Sequence, residues 1–151
     1  MHQLKSTTHI KKWTLAGGIA VLAGMWTIPA PAQQTSVPRG GPPGSWRLIG
    51  TVEAGFRADH DGIIVKGPFD DFRRVKFKVT GANLNMDHMV ITYDNGVPDN
   101  IPVRQTINEG GESRQIDLAG IGTRRIRRID FWYNTKGVLK GKASVTVFGM
   151  K

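Results

Sequence analysis

Between Arg124 and Thr135 the chain reads RRIRRIDFWYNT, and Ile129, Phe131 and Tyr133 alternate there with Arg128, Asp130 and Trp132. A two-residue rhythm sends successive side chains to opposite faces of an extended backbone, so this stretch predicts a half-buried strand with one apolar and one amphipathic face. The rhythm recurs at Arg73–Thr80, where Val75, Phe77 and Val79 oppose Arg74, Lys76, Lys78 and Thr80. Past residue 32, no stretch of ordinary helix length carries apolar residues at i, i+3, i+4 and i+7. An all-β fold follows.

Trp46–Val52, Gly62–Lys66, Met89–Tyr93, Ile101–Ile107, Ser113–Leu118 and Lys142–Gly149 are further extended runs. They are divided by turn residues such as Asp94-Asn95-Gly96 and Glu109-Gly110-Gly111-Glu112. A single domain of about eight such strands predicts an antiparallel β-sandwich, jelly-roll-like or Ig-like. Pro98 and Pro102 assign Ile101–Ile107 to a sheet edge, because proline donates no ladder hydrogen bond. Ile126 has the opposite parity to Ile129, so either a bulge falls at Arg127 and Arg128 or the strand starts at Arg128.

The N-terminus reads as an export signal. Lys5, Lys11 and Lys12 precede the uncharged run Trp13–Trp26, which is short for a bilayer span, and Ala30-Pro31-Ala32 has the small-x-small pattern of a cleavage site. Residues 1–32 are accordingly expected to be a signal peptide removed after Ala32, leaving a periplasmic or secreted protein with no transmembrane segment. Residues 33–45, QQTSVPRGGPPGS, read as a flexible tether, and residues 46–151 as the β domain. Cysteine is absent, so neither a disulfide framework nor a lipid-modified cysteine is available. The formal net charge of +9 includes the three leader lysines and favours polyanionic partners. Export sets nucleic acid aside, which leaves acidic glycans and anionic membrane surfaces.

Several segments recur in an order similar to a known family: Trp-x-Leu-x-Gly at 46–50, Asp-x-Asp-Gly-Ile at 59–63, Asn-Gly at 95–96, Pro-Val-Arg at 102–104, Ile-Asp-Leu at 116–118 and Arg-x-Ile-x-x-Ile-x-Phe-x-Tyr at 124–133. Their order resembles the YaaI-like family of small exported bacterial proteins of unknown function. The resemblance implies export and a compact β domain, and brings no reaction, ligand or catalytic residue with it.

Arg124, Arg125, Arg127 and Arg128 form the leading candidate site, since guanidinium groups pair bidentately with phosphate, sulfate or carboxylate. Arg74, Lys76 and Lys78 would add a second row if the two strands were neighbours, with Trp132 beside them to stack on a sugar ring. The same cations also suit a plainly solvated outer face. Asp59 and Asp61, with Asp70, Asp71 or Asp87, are candidate Ca²⁺ ligands, and His60 and His88 could share a transition metal if the fold joined them. No nucleophile motif appears, and Glu109 and Glu112 sit on a Gly-Gly turn. A non-catalytic binding protein is therefore expected, the alternatives being a small envelope-glycan hydrolase and a structural or stress-related protein without a ligand.

Overall fold

The computed structural model describes residues 33–55, 60–134 and 142–151. They form ten strands and no helix: β1 (Gln33–Ser36), β2 (Arg47–Ala54), β3 (His60–Val65), β4 (Asp71–Phe72), β5 (Arg74–Thr80), β6 (Leu84–Tyr93), β7 (Asp99–Ile107), β8 (Ile116–Asp117), β9 (Arg124–Asn134) and β10 (Ala143–Met150). One sheet runs in the order β1-β3-β9-β6-β7, with β4 pairing β9 off that path; the other runs β2-β10-β5-β8. The last two strands in sequence, β9 and β10, are thus inner strands with a partner on each side.

The two sheets share one apolar core. Ile49, Val52, Phe77, Val79, Val145 and Val147 of the smaller sheet are buried in the same cluster as Ile63, Met89, Ile91, Ile129 and Phe131 of the larger. Phe77 meets Phe131 edge-on between the sheets, ring centroids 6.1 Å apart at 66°. Such a contact contributes about 0.5–1.5 kcal/mol beyond the area it buries. The alternation read from β5 and β9 holds: the apolar members face this core and the cationic members face away. β7 is an edge strand, as its prolines require.

Three expectations need correction. The described residues hold ten strands where eight were expected, because β1 and the two-residue β4 were not anticipated. The pairing is not purely antiparallel, since β1 runs parallel to β3 from Gln33↔Gly62 to Ser36↔Val65. Nor is the segment 33–45 a free tether. Ser36 donates to the Ile49 carbonyl at 2.6 Å, the Lys66 amide to Ser36 O, the Arg39 amide to Leu48 O and Arg47 to Pro42 O. Backbone pairing needs no apolar side chain, so a polar composition does not forbid it. The open choice at Ile126 resolves as a bulge: Thr92 faces Arg128 and Tyr93 faces Ile126, leaving Arg127 as the extra residue.

Candidate functional site

The outer face of the larger sheet carries a connected cluster of stacked and hydrogen-bonded side chains. His60 of β3 and His88 of β6 both pair in register with Trp132 of β9. Adjacent strands lie about 4.8 Å apart, close enough for rings at paired positions to stack. His60 stacks on the indole at 4.2 Å and 13°, and His88 at 4.5 Å and 8°. Both flat faces of Trp132 are therefore covered by imidazoles from the flanking strands, and a sugar ring cannot stack on it. The indole also separates the two histidines, so they do not share a metal ion.

Two residues back along β9, Asp130 anchors the group. Its buried carboxylate accepts from Arg128 Nε and Nη2, both at 2.6 Å, and lies 3.0 Å from His60 Nε2. The hydrogen bonds to Asp130 raise the affinity of Arg128 for its proton and hold it charged. Gly62, paired with Asp130, makes room: a Cβ there would stand 2.7 Å from Asp130 Oδ1. Gln33 of β1 completes the cluster; with its amide oxygen turned to the guanidinium it accepts from both Nη atoms at 2.8 and 2.6 Å.

Beyond His88 the face ends at β7, where a second irregularity lies. Met86 pairs with Gln105 and His88 with Pro102, so Val103 and Arg104 together oppose the single residue Asp87. Arg104 takes up the extra length in the left-handed region, at φ 46°, which is costly for any residue but glycine. Arg114 braces the bulge by donating to the carbonyls of Val103 and Pro102 at 3.1 and 2.9 Å. Grooves flank Arg104. One of about 320 Å³ is lined by Asp87, His88, Asn100, Pro102 and Arg104; another of about 300 Å³ includes Asn85, Gln105 and Thr106. Asp87 hydrogen-bonds His88 Nδ1 at 2.7 Å, fixing its ring against Trp132. Gln105 Oε1 is buried without a hydrogen-bond partner among the described residues. The arrangement can hold an anionic, oxygen-rich group between a fixed imidazole and an exposed guanidinium.

The expected cationic rows do not combine. β5 belongs to the smaller sheet and β9 to the larger, so Arg74, Lys76 and Lys78 face the opposite side of the molecule from Arg128 and Trp132. Most of these charges are also locally matched: Arg74 with Asp117 at 2.6 Å, Lys76 with Glu112 at 2.8 Å, and Arg127 with Asp70 at 2.7 Å. Lys76 also lies over the Trp46 ring, and its hydrogen bond draws the Glu112 carboxyl below its ordinary range. Arg124 donates to Ala119 O and Asn95 O and covers the Tyr93 ring. Among the described residues, Arg125 has no ion-pair partner.

Asp61, expected as a Ca²⁺ ligand, points into the protein and is buried, its carboxylate accepting from the Tyr133 hydroxyl. Asp59 lies outside the described residues. No group of three potential metal-ligating side chains occurs among those described. Arg104 escaped sequence reading, because neither the bulge nor its backbone conformation leaves a local mark; outward parity at Trp132 was the one available pointer to the stack.

No helix among the described residues is long and apolar enough to cross a membrane. No curated protein and no solved structure matches the chain. A family model described as a domain of unknown function, DUF2541, matches residues 19–149 and so takes in almost the whole of both sheets. By that match the chain belongs to the DUF2541 family.

Proposed function

We propose that the protein is an exported, non-catalytic binding domain, periplasmic or secreted after cleavage at Ala32, that holds an acidic envelope glycan on the outer face of its larger sheet. The observation that carries this reading is Arg104, an exposed guanidinium on a strained and braced backbone, set opposite Asp87 and between two grooves, one of which it shares with His88. Strain of this kind persists where the surroundings over-determine it, and such positions cluster at ligand clamps. A uronic acid offers a carboxylate for Arg104 and hydroxyls for Asn100, Asp87 and His88. Hydrolysis of a glycosidic bond takes two carboxylates, and among the described residues Asp87 is the one that lines either groove.

The same reading takes the packed sheets as a β-sandwich, jelly-roll-like or Ig-like, supported by their single shared core. It takes the kinship as YaaI-like, supported by the order of the six sequence segments. Retention on an immobilised uronic-acid oligosaccharide tests the function. Loss of a charge-assisted hydrogen bond in Arg104→Ala is expected to weaken it by about tenfold or more. An oligosaccharide with its carboxyls reduced should not be retained. Equal retention of parent and variant at unchanged melting temperature refutes the proposal.

A further inference from the structure

Four large apolar side chains are exposed among the described residues: Val37, Phe69, Val97 and Ile121, at 56, 44, 84 and 101 %. Single exposed apolar residues are ordinary. What is not ordinary is that all four sit at one end of the molecule, the end at which β9 begins.

Hydrogen bonds place them there. Phe69 lies between β3 and β4, and the next residue, Asp70, accepts the Ile126 amide through its carbonyl. Val97 lies between β6 and β7, whose first loop residue, Asp94, donates its amide to Arg125 O. Ile121 stands on the Gly120-Ile121-Gly122 turn just ahead of β9, and Arg124 ties that loop to the β6–β7 loop through Ala119 O and Asn95 O. Val37 follows Ser36, whose carbonyl accepts the Lys66 amide. Three of these four connections are thus clamped on the opening residues of β9, and the fourth on the end of β3.

Charge at this end is unevenly matched. Asp70 and Asp94 lie within 4.0 Å of Arg127, and Asp71 pairs with Lys151 at 2.6 Å. Asp99 accepts from the Tyr93 hydroxyl and the Ala119 amide. The side chains of Arg39, Lys66, Arg73 and Arg125 have no ion pair among the described residues. Apolar tips on separate loops, interspersed with unmatched cations, complement a surface whose outer layer is anionic and whose inner layer is hydrocarbon. A protein interface would instead ask for a contiguous apolar centre with a polar rim.

We propose that this end docks on an anionic lipid bilayer, with Phe69, Val97 and Ile121 entering the headgroup boundary and Arg39, Lys66, Arg73 and Arg125 meeting lipid phosphates. It is a different surface from the Arg104 grooves, and neither proposal depends on the other.

Vesicle flotation tests it, using full-length protein, vesicles of phosphatidylglycerol and phosphatidylcholine, and vesicles of phosphatidylcholine alone. Every variant carries the same residues 1–32, so its ratio to the parent isolates the loop end. The parent is expected to bind the anionic vesicles more tightly, and less so as salt rises. Val97→Ser with Ile121→Ser is expected to reduce the partition coefficient about tenfold or more, because both side chains leave water on docking. Lys66→Gln with Arg125→Gln should reduce it and flatten its salt dependence, while Arg104→Ala leaves it unchanged. The tips are solvent-exposed, and equal melting temperatures establish that each variant folds. Equal binding to both vesicle types, or anionic binding that the tip variant does not reduce, overturns the proposal.

Discussion

A methyl group on Gly62 would stand 2.7 Å from Asp130 Oδ1, so the carboxylate and the missing side chain form one unit. Gly62→Ala is expected to cost about 1–3 kcal/mol, the usual range for inserting a methylene where there is no room. Asp130→Asn removes the charge that receives Arg128 and His60, and is expected to cost about 1–3 kcal/mol as well. Because both changes act on one contact, the double variant should lose less than the sum in urea denaturation; strict additivity would show that the two residues are independent. Outward parity made Arg128 and Trp132 legible in the sequence. Their partners were not, since His60 reaches Asp130 across 70 residues of chain and a pairing register leaves no local trace.

Among the elements, those with a full alternating run were legible, and the two that failed have physical reasons. β4 is two residues long, too short to display any rhythm. β1 is held chiefly by main-chain bonds to β3 and by a close approach at Gly50, where a Cβ would come 2.9 Å from Ser36 Cβ and 3.0 Å from Ile63 Cγ2. Gly50→Ala should therefore push β1 off the sheet edge before it disturbs the inner strands. Limited proteolysis followed by mass spectrometry is expected to cut residues 37–45 about tenfold faster in this variant, and Ser36→Gly in the same chain should restore part of the protection. Unaltered cleavage would mean that β1 is not seated by this contact. The basic rows fared worst: their parity was right, but parity does not say which sheet a strand joins, and β5 and β9 joined different ones.

For the molecule as a whole, alkaline stability reports on the clamped end. Burial, and then the Asp99 carboxylate, push the Tyr93 hydroxyl from its ordinary 10.0 up to about 12, against the opposing pull of Arg124. The folded chain thus keeps a proton that the unfolded chain releases near pH 10, so the contribution is whole below that pH and is lost as pH rises through about 12. Thermal midpoints of the parent are expected to fall more steeply than those of Tyr93→Phe between pH 10 and 12; parallel curves would place the loss elsewhere. The layout of the inner strands bears on when such a chain can fold at all. β3 and β6 meet only through β9, and β2 and β5 only through β10, so neither sheet is continuous until a keystone that follows its partners in the sequence is in place. The β6–β7 hairpin and the β1–β3 pair need neither keystone, but the two sheets close over their shared core only once β9 and β10 are both seated.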